Sequence, residues 1–203
     1  MKAVDVKNTP KPSTSSGSGI ALIEHLISQA KKAEQFVINE FGSLRADQLN
    51  WTNHPEKWSI AQCLEHLVVS DRLYYPIFTK ILEGNYKMSF WQRRSPFSKM
   101  FGRLLINQMQ ETASRKFKSP KAFRPNLITS GTDIIDRFSK HQDELVDYMQ
   151  ELNLKNMEQI VISSPATSVV TYSLGDALQI IIKHQYRHLN QAARMKVENG
   201  FPQ

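Results

Sequence analysis

Apolar residues recur at three- and four-residue spacing in four separate stretches of this chain, the period of a helix with one buried face. Between Ile20 and Phe41, Ile20, Ile23, Ile27, Ala30 and Val37 fall near one stripe, widened by Leu26 and Ala33. A second stretch opens at Ser59, whose partner three residues on, Gln62, makes a capping-box pair. It carries Ile60, Leu64, Leu67, Leu73, Ile77 and Leu82 and stops at Gly84–Asn85. A third opens at Ser130 or Thr132, turns Ile134, Ile135, Phe138, Leu145, Tyr148 and Met149 inward, and ends near Leu152. The fourth is capped by Ser173, with Asp176 three residues later. Its buried stripe is Leu174, Ala177, Leu178, Ile181, His184, His188, Ala192 and Met195, and Asn199–Gly200 ends it. Four long amphipathic helices predict an all-α fold, an antiparallel four-helix bundle.

The connections are unequal. LNWTNHPEKWSIAQ is an ordinary loop, with His54–Pro55 extended or turn-like. Tyr86 to Gly131 is too long for a loop. It reads as a crossover between the second and third helices, with its own amphipathic helix through Phe97, Met100, Phe101, Leu104, Leu105 and Met109. FKSPKAFRPN then has two prolines and no helix. NLKNMEQIVISSPATSVVTY is irregular, with a short strand expected at Gln159–Ser163. Residues 1–18, rich in Ser, Thr, Pro, Lys and Gly, read as a flexible tail, and 19–203 as a single bundle domain. The 203 residues suffice for one core. No apolar run approaches the roughly 20 residues of a membrane span. The first residues lack the apolar core of a secretory signal, so a cytoplasmic location is expected. The single cysteine, Cys63, excludes an internal disulfide and a cysteine-rich zinc knuckle. P-loop, GxGxxG and GxSxG motifs are absent.

Net charge is +7, but from Trp91 to Arg124 there are nine Lys/Arg against one acid. The basic signal is one segment, so a general nucleic-acid-binding composition is excluded.

The chemistry-bearing pattern is histidine. His184 and His188 stand four apart on the last helix and can offer two nitrogens to one ion. His66, on the second helix, lies on or beside the apolar side. Burying imidazole nitrogens without partners is costly, and a shared divalent metal is the simplest partner for three. Three histidines leave coordination positions open, as in catalytic zinc sites. Gln62 and Ser70, one turn either side of His66, and Gln191, one turn after His188, are candidates to fix ring tautomers. Cys63 is a candidate fourth ligand, though a small buried residue is the better reading. His25 and His141 are expected to be solvated, and His54 to sit in its loop. Glu65, Asp71 and Glu111 are candidate acids, with Glu65 and Asp71 expected off the His66 face as solvated charges.

WSIAQCLEHLVVSD, with His66, then FKSPKAFRP, then SLGDALQIIIKHQYRHLNQAARM, with His184, His188 and Gln191, resemble in order and spacing the DinB-like, or damage-inducible, four-helix-bundle proteins. The resemblance covers most of Gly19 to Asn199. It implies a bundle whose three histidines bind a divalent metal, often zinc or nickel. Relatives include thiol-dependent transferases, among them bacillithiol transferases, and an isomerase using mycothiol.

Three functions compete. The first is a metal-dependent low-molecular-weight thiol S-transferase or related hydrolase. Its metal ligands would be His66, His184 and His188, its metal zinc or nickel, and its cosubstrate a small thiol. The second is a non-catalytic metal- or ligand-binding bundle. The third is a surface-association module built on the basic crossover, whose plainer reading is a helix packed on the bundle with a solvated basic face. Arg93, Arg94 and Arg103 would steer an anionic small-molecule substrate if that segment borders the site. Nucleic acid is a disfavoured partner, and a homodimer remains open.

Overall fold

The computed structural model describes residues 16–94, 98–108, 131–152 and 156–203. Eight helices and one hairpin are found among them: α1 (Ser16–Phe41), α2 (Ala46–Asn50), α3 (Ile60–Arg72), α4 (Tyr75–Leu82), α5 (Phe90–Arg94), α6 (Ser98–Gln108), α7 (Asp133–Leu152), β1 (Val161–Ser164), β2 (Thr167–Ser173) and α8 (Leu174–Met195). The helix starts follow the sequence chemistry. Ser59 Oγ accepts from Gln62 N at 3.2 Å while Ser59 N donates to Gln62 Oε1 at 3.0 Å, the expected capping box at the head of α3. Ser173 Oγ accepts from Asp176 N at 3.0 Å at the head of α8. Gly84 and Gly200, at φ 73° and 87°, occupy the left-handed region that glycine adopts without penalty.

Two boundaries differ from expectation. The second helix breaks at Leu73–Tyr74 into α3 and α4, because Pro76 has no N–H to give Arg72 and cannot continue the helix ladder. Helix α1 starts at Ser16, inside the segment expected as tail. Its stripe also sits slightly round from the expected one. Ile23, Leu26, Ala30, Ala33, Val37 and Phe41 are buried, whereas Ile20 is exposed and Ile27 only partly covered. The crossover residues Phe97, Met109 and Glu111, and the FKSPKAFRPN segment, lie outside the described residues.

The long helices form a bundle in which α1 and α3 each pack against both α7 and α8. Their directions are not simply alternating. Helices α3 and α8 run antiparallel, with Tyr74 touching Tyr172 at one end and His66 touching His184 further along. Contacts of α3–α4 with α7 climb together: Glu65 with Arg137, Arg72 with Glu144, Thr79 with Tyr148. Those of α1 with α8 also climb together, from Gln29 with Tyr186 to Glu40 with Lys196. The bundle therefore has two parallel neighbours rather than all-antiparallel packing. Parallel neighbours need a long connection, and that is the physical reason for the length of the crossover.

The expected strand exists one or two residues later than predicted and has a partner that was not foreseen. Strands β1 and β2 pair antiparallel with Ile162 opposite Tyr172, both buried. Tyr172 OH and Tyr74 OH are 2.8 Å apart, which ties the hairpin to the start of α4. Helix α6 lies on β2 and the first turn of α8. Ser98 Oγ meets Thr171 Oγ1 at 2.8 Å, and Gly102 abuts the Asp176 carboxylate so closely that a Cβ there would have no room.

The core contains a polar cluster that the sequence reading placed at the surface. His141 is 0% exposed. Its Nε2 lies 3.1 Å from Asp71 Oδ2 and its Nδ1 2.9 Å from Tyr75 OH. Asp71 is also buried and accepts from Gln185 Nε2 at 2.8 Å. Gln185 and Gln142 exchange amide bonds of 3.0 Å between α8 and α7. Helical phase, not the polarity of chain neighbours, decides which side chains are buried here. His141 and Gln142 follow Phe138 by three and four residues and precede Leu145 by four and three, squarely on the inward stripe. Replacing Asp71 by Ala would strand two buried donors, and should cost about 3–5 kcal/mol in urea unfolding. A loss below about 1 kcal/mol would show the cluster to be dispensable.

Candidate metal centre

Helix α3 buries His66 at the α8 interface. One turn on, Ser70 Oγ lies 3.2 Å from His66 Nδ1. With Nδ1 held there, the other nitrogen, Nε2, faces α8 and lies 3.1 Å from His184 Nε2. His188 follows one helical turn after His184, and their ring centroids are 4.6 Å apart. From His66 the centroid distances are 4.9 Å to His184 and 4.5 Å to His188. One nitrogen from each ring lies within 4.8 Å of the others. Ligands bound tetrahedrally at about 2.0–2.1 Å from one ion sit roughly 3.3 Å apart, so small side-chain rotations close the gap. Trp58 covers one side, its ring 4.7 Å from His66 and 5.7 Å from His188.

The donor set fits a cation. Burial, then the neighbouring His188 and His66 rings and the Arg187 charge, hold His184 well below the usual histidine range. Burial, His66 and Arg187 push His188 down to about 3, with Gln191 opposing weakly. Both rings are therefore neutral near pH 7 and keep a lone pair. His188 Nδ1 is buried with no hydrogen-bond partner, a cost of roughly 1–3 kcal/mol if nothing answers it. His184 and His188 are only half-buried as whole residues, so the cluster sits deep among protein atoms yet reaches solvent along α8.

The other candidates fall in different places. Ser70 touches a cluster ring and Gln191 acts on His188. Gln62 is engaged elsewhere, its carbonyl oxygen held by the cap of α3. Cys63 is fully buried outside the cluster, and burial pushes its thiol up to about 12, so it is the small core residue rather than a fourth ligand. Glu65 and Asp71 are not the solvated charges expected. Glu65 is buried against Arg137 and Asp71 lies in the polar core. His54 stays in its exposed loop, where Nδ1 accepts from Glu56 N at 3.2 Å, and His25 is half-buried on α1.

Arg93 and Arg94 are exposed on α5, and Arg103, exposed on α6, acts on Asp176. Asp176 precedes His184 by eight residues, about 12 Å along the helix axis. Among the described residues, the cation whose charge reaches His184 and His188 is instead Arg187, which lies three residues from His184 on a neighbouring face. Trp58 was missed, because a tryptophan before a helix cap reads as ordinary packing.

Acid should undo this site before the rest of the bundle. In the unfolded chain these histidines take a proton near pH 6.5, whereas in the folded chain His188 resists until about 3. The unfolded state thus binds more protons in that interval. Their stabilising contribution is complete above about pH 6.5 and falls as pH drops toward 3. Urea midpoints of chelator-treated protein should decline between about pH 7 and 5, and less so when His184 and His188 are both replaced by Gln.

The family comparison agrees with this architecture. The DinB superfamily model matches residues 29–192, a span holding all three clustered histidines. No curated protein and no solved structure matches the chain. With four-fifths of its length under that one family model, the chain belongs to the DinB superfamily.

Proposed function

We propose that this protein is a divalent-metal-dependent enzyme, a low-molecular-weight thiol S-transferase or a related hydrolase, with His66, His184 and His188 as metal ligands. One observation carries the reading. Three histidine nitrogens converge within 4.8 Å, without a carboxylate or cysteine in the set, on a cluster that solvent reaches. That donor set suits zinc or nickel and leaves positions for a substrate atom. When bound, such an ion supplies a lowered pKa for a thiol or water and so a nucleophile near neutral pH.

The chain's own residues would prepare the site. Ser70 orients the His66 ring through Nδ1. Trp58 shields one side from water. Arg187 adds positive charge beside the rings, which favours an anionic cosubstrate over a neutral one. The buried position of the acids supports a second reading, a non-catalytic metal- or ligand-binding bundle. Glu65 and Asp71 are committed to Arg137 and to His141 with Gln185, and neither stands beside the rings to move a proton.

Untagged protein should carry about one zinc or nickel per chain by elemental analysis. His184→Ala should lose it while circular dichroism stays nearly unchanged, because each helix has its own apolar stripe. Ser70→Ala should weaken metal affinity about 10- to 100-fold. Retention of metal by His184→Ala at unchanged affinity would refute the ligand set. A thiol-transfer screen on loaded protein then separates the readings: turnover supports the enzyme, and tight metal binding without turnover on any thiol supports the binding bundle.

A further inference from the structure

Eight large hydrophobic side chains stand exposed among the described residues, and five of them sit together in the fold. Phe90 and Trp91 lie on α5, Met100 and Leu104 on α6, and Val169 on β2. These elements pack on one another. Helix α5 lies on β1 and α6 on β2, and Trp91 Nε1 donates to Val169 O at 3.4 Å. Phe90 is 76% exposed and Val169 63%, unlike hydrophobics that merely border a core. The charge here is one-sided. Residues 85–108 hold five Lys/Arg and no Asp/Glu, and hairpin residues 161–173 hold no charge at all. The three steering arginines expected to serve the histidine site are therefore grouped with exposed apolar residues, on the hairpin side of the molecule.

We infer that this α5–α6–hairpin face docks on an anionic lipid bilayer surface, with Phe90, Trp91 and Val169 entering the headgroup boundary and Arg93 and Arg94 engaging lipid phosphates. Aromatic and aliphatic groups flanked by arginines are the composition that interfacial binding requires. A tryptophan whose N–H is already partnered leaves an apolar ring at the surface, as lipid interfaces favour. Two alternatives fit less well. A symmetric pairing with a second copy would set Arg93 and Arg94 of both chains against each other, with no acid among the described residues of α5, α6 and the hairpin to answer them. Nucleic acid would use the rings for base stacking and has no use for exposed Val169, Met100 and Leu104. Among the described residues no helix is long and apolar enough to cross a membrane, so the attachment is peripheral.

The full-length protein is sedimented with vesicles of phosphatidylcholine alone and with about 30% phosphatidylglycerol added. It should partition onto the anionic vesicles, leave the neutral ones largely in solution, and be released as salt rises from about 0.1 to 0.5 M. Arg93→Gln with Arg94→Gln should lower partition at least about tenfold. Phe90→Ser with Trp91→Ser should lower it comparably without any change in charge. All these side chains are exposed, and circular dichroism verifies that the variants fold. Equal binding to both lipids, or unchanged binding by both variants, overturns the proposal. So does a dimer in sedimentation velocity that Trp91→Ser disperses while the vesicles are ignored, and so does competition by an oligonucleotide that strips the protein from lipid.

Discussion

The antiparallel contact between α3 and α8 is the constraint on which the site depends, and a buried carboxylate sets its register. Asp71 accepts from Gln185 across that contact and faces His141 from α7. A buried carboxylate without partners is among the costliest groups a core can hold, and sliding α8 by one turn would strip Asp71 of its bond from Gln185 and break the Gln185–Gln142 pair with it. Ser70 and His184 are the immediate chain neighbours of Asp71 and Gln185. The register that satisfies the carboxylate therefore also brings the His66 ring, held by Ser70, against His184. Apolar packing alone specifies register weakly, since one leucine contact resembles another. The polar core converts a loosely specified bundle into one with a defined opposition of side chains.

The same logic explains the crossover. Because α3 and α7 are parallel neighbours, the chain must return the length of the bundle between them, and the long connection that carries α5 and α6 provides the residues for it. The crossover is anchored at the hairpin by short polar contacts, Gln92 to Ser163 and Ser98 to Thr171. Its apolar surplus is not all consumed by that packing, and Arg93, Arg94 and Arg103 are exposed. The histidine cluster and the basic face thus belong to different parts of α8, the first to its middle and later turns, the second to its start.

Most of the bundle was legible in the sequence because helices announce themselves by period and by end chemistry. Ser59 with Gln62, Ser173, Gly84 and Gly200 each mark a boundary through a local interaction that needs no knowledge of the fold. The kink at Pro76 was equally local and was passed over in favour of an unbroken stripe. What stayed hidden depends on long-range partners. Helix direction is carried by no local signal, so the parallel pairs were missed. His141 was assigned to solvent because its chain neighbours are polar, although its phase put it inside. His66, His184 and His188 stood out by the four-residue spacing on one helix and the inward phase of a third ring on another, although phase alone does not set them apart from His141. The ranking of cations, with Arg187 beside the rings and Arg93, Arg94 and Arg103 elsewhere, needed coordinates.

Electrostatics gives the proposed function its most specific content. Imidazoles provide lone pairs but no negative counter-charge. The buried acids on α3 are engaged elsewhere, Glu65 by Arg137 and Asp71 by hydrogen bonds in the polar core, and Arg187 adds positive charge beside the rings. On the proposed reading, a divalent ion here would keep most of its charge uncompensated by the described residues around it. A zinc site closed by thiolates has its charge cancelled and serves structure, whereas this one would leave the balance to whatever enters from solvent. A thiol that ionises on entry supplies that balance, and a cosubstrate carrying further negative charge gains more from Arg187 than a neutral one does. On that reading, histidine at all three positions, with no acid in the cluster among the described residues, selects the incoming ligand as much as the metal.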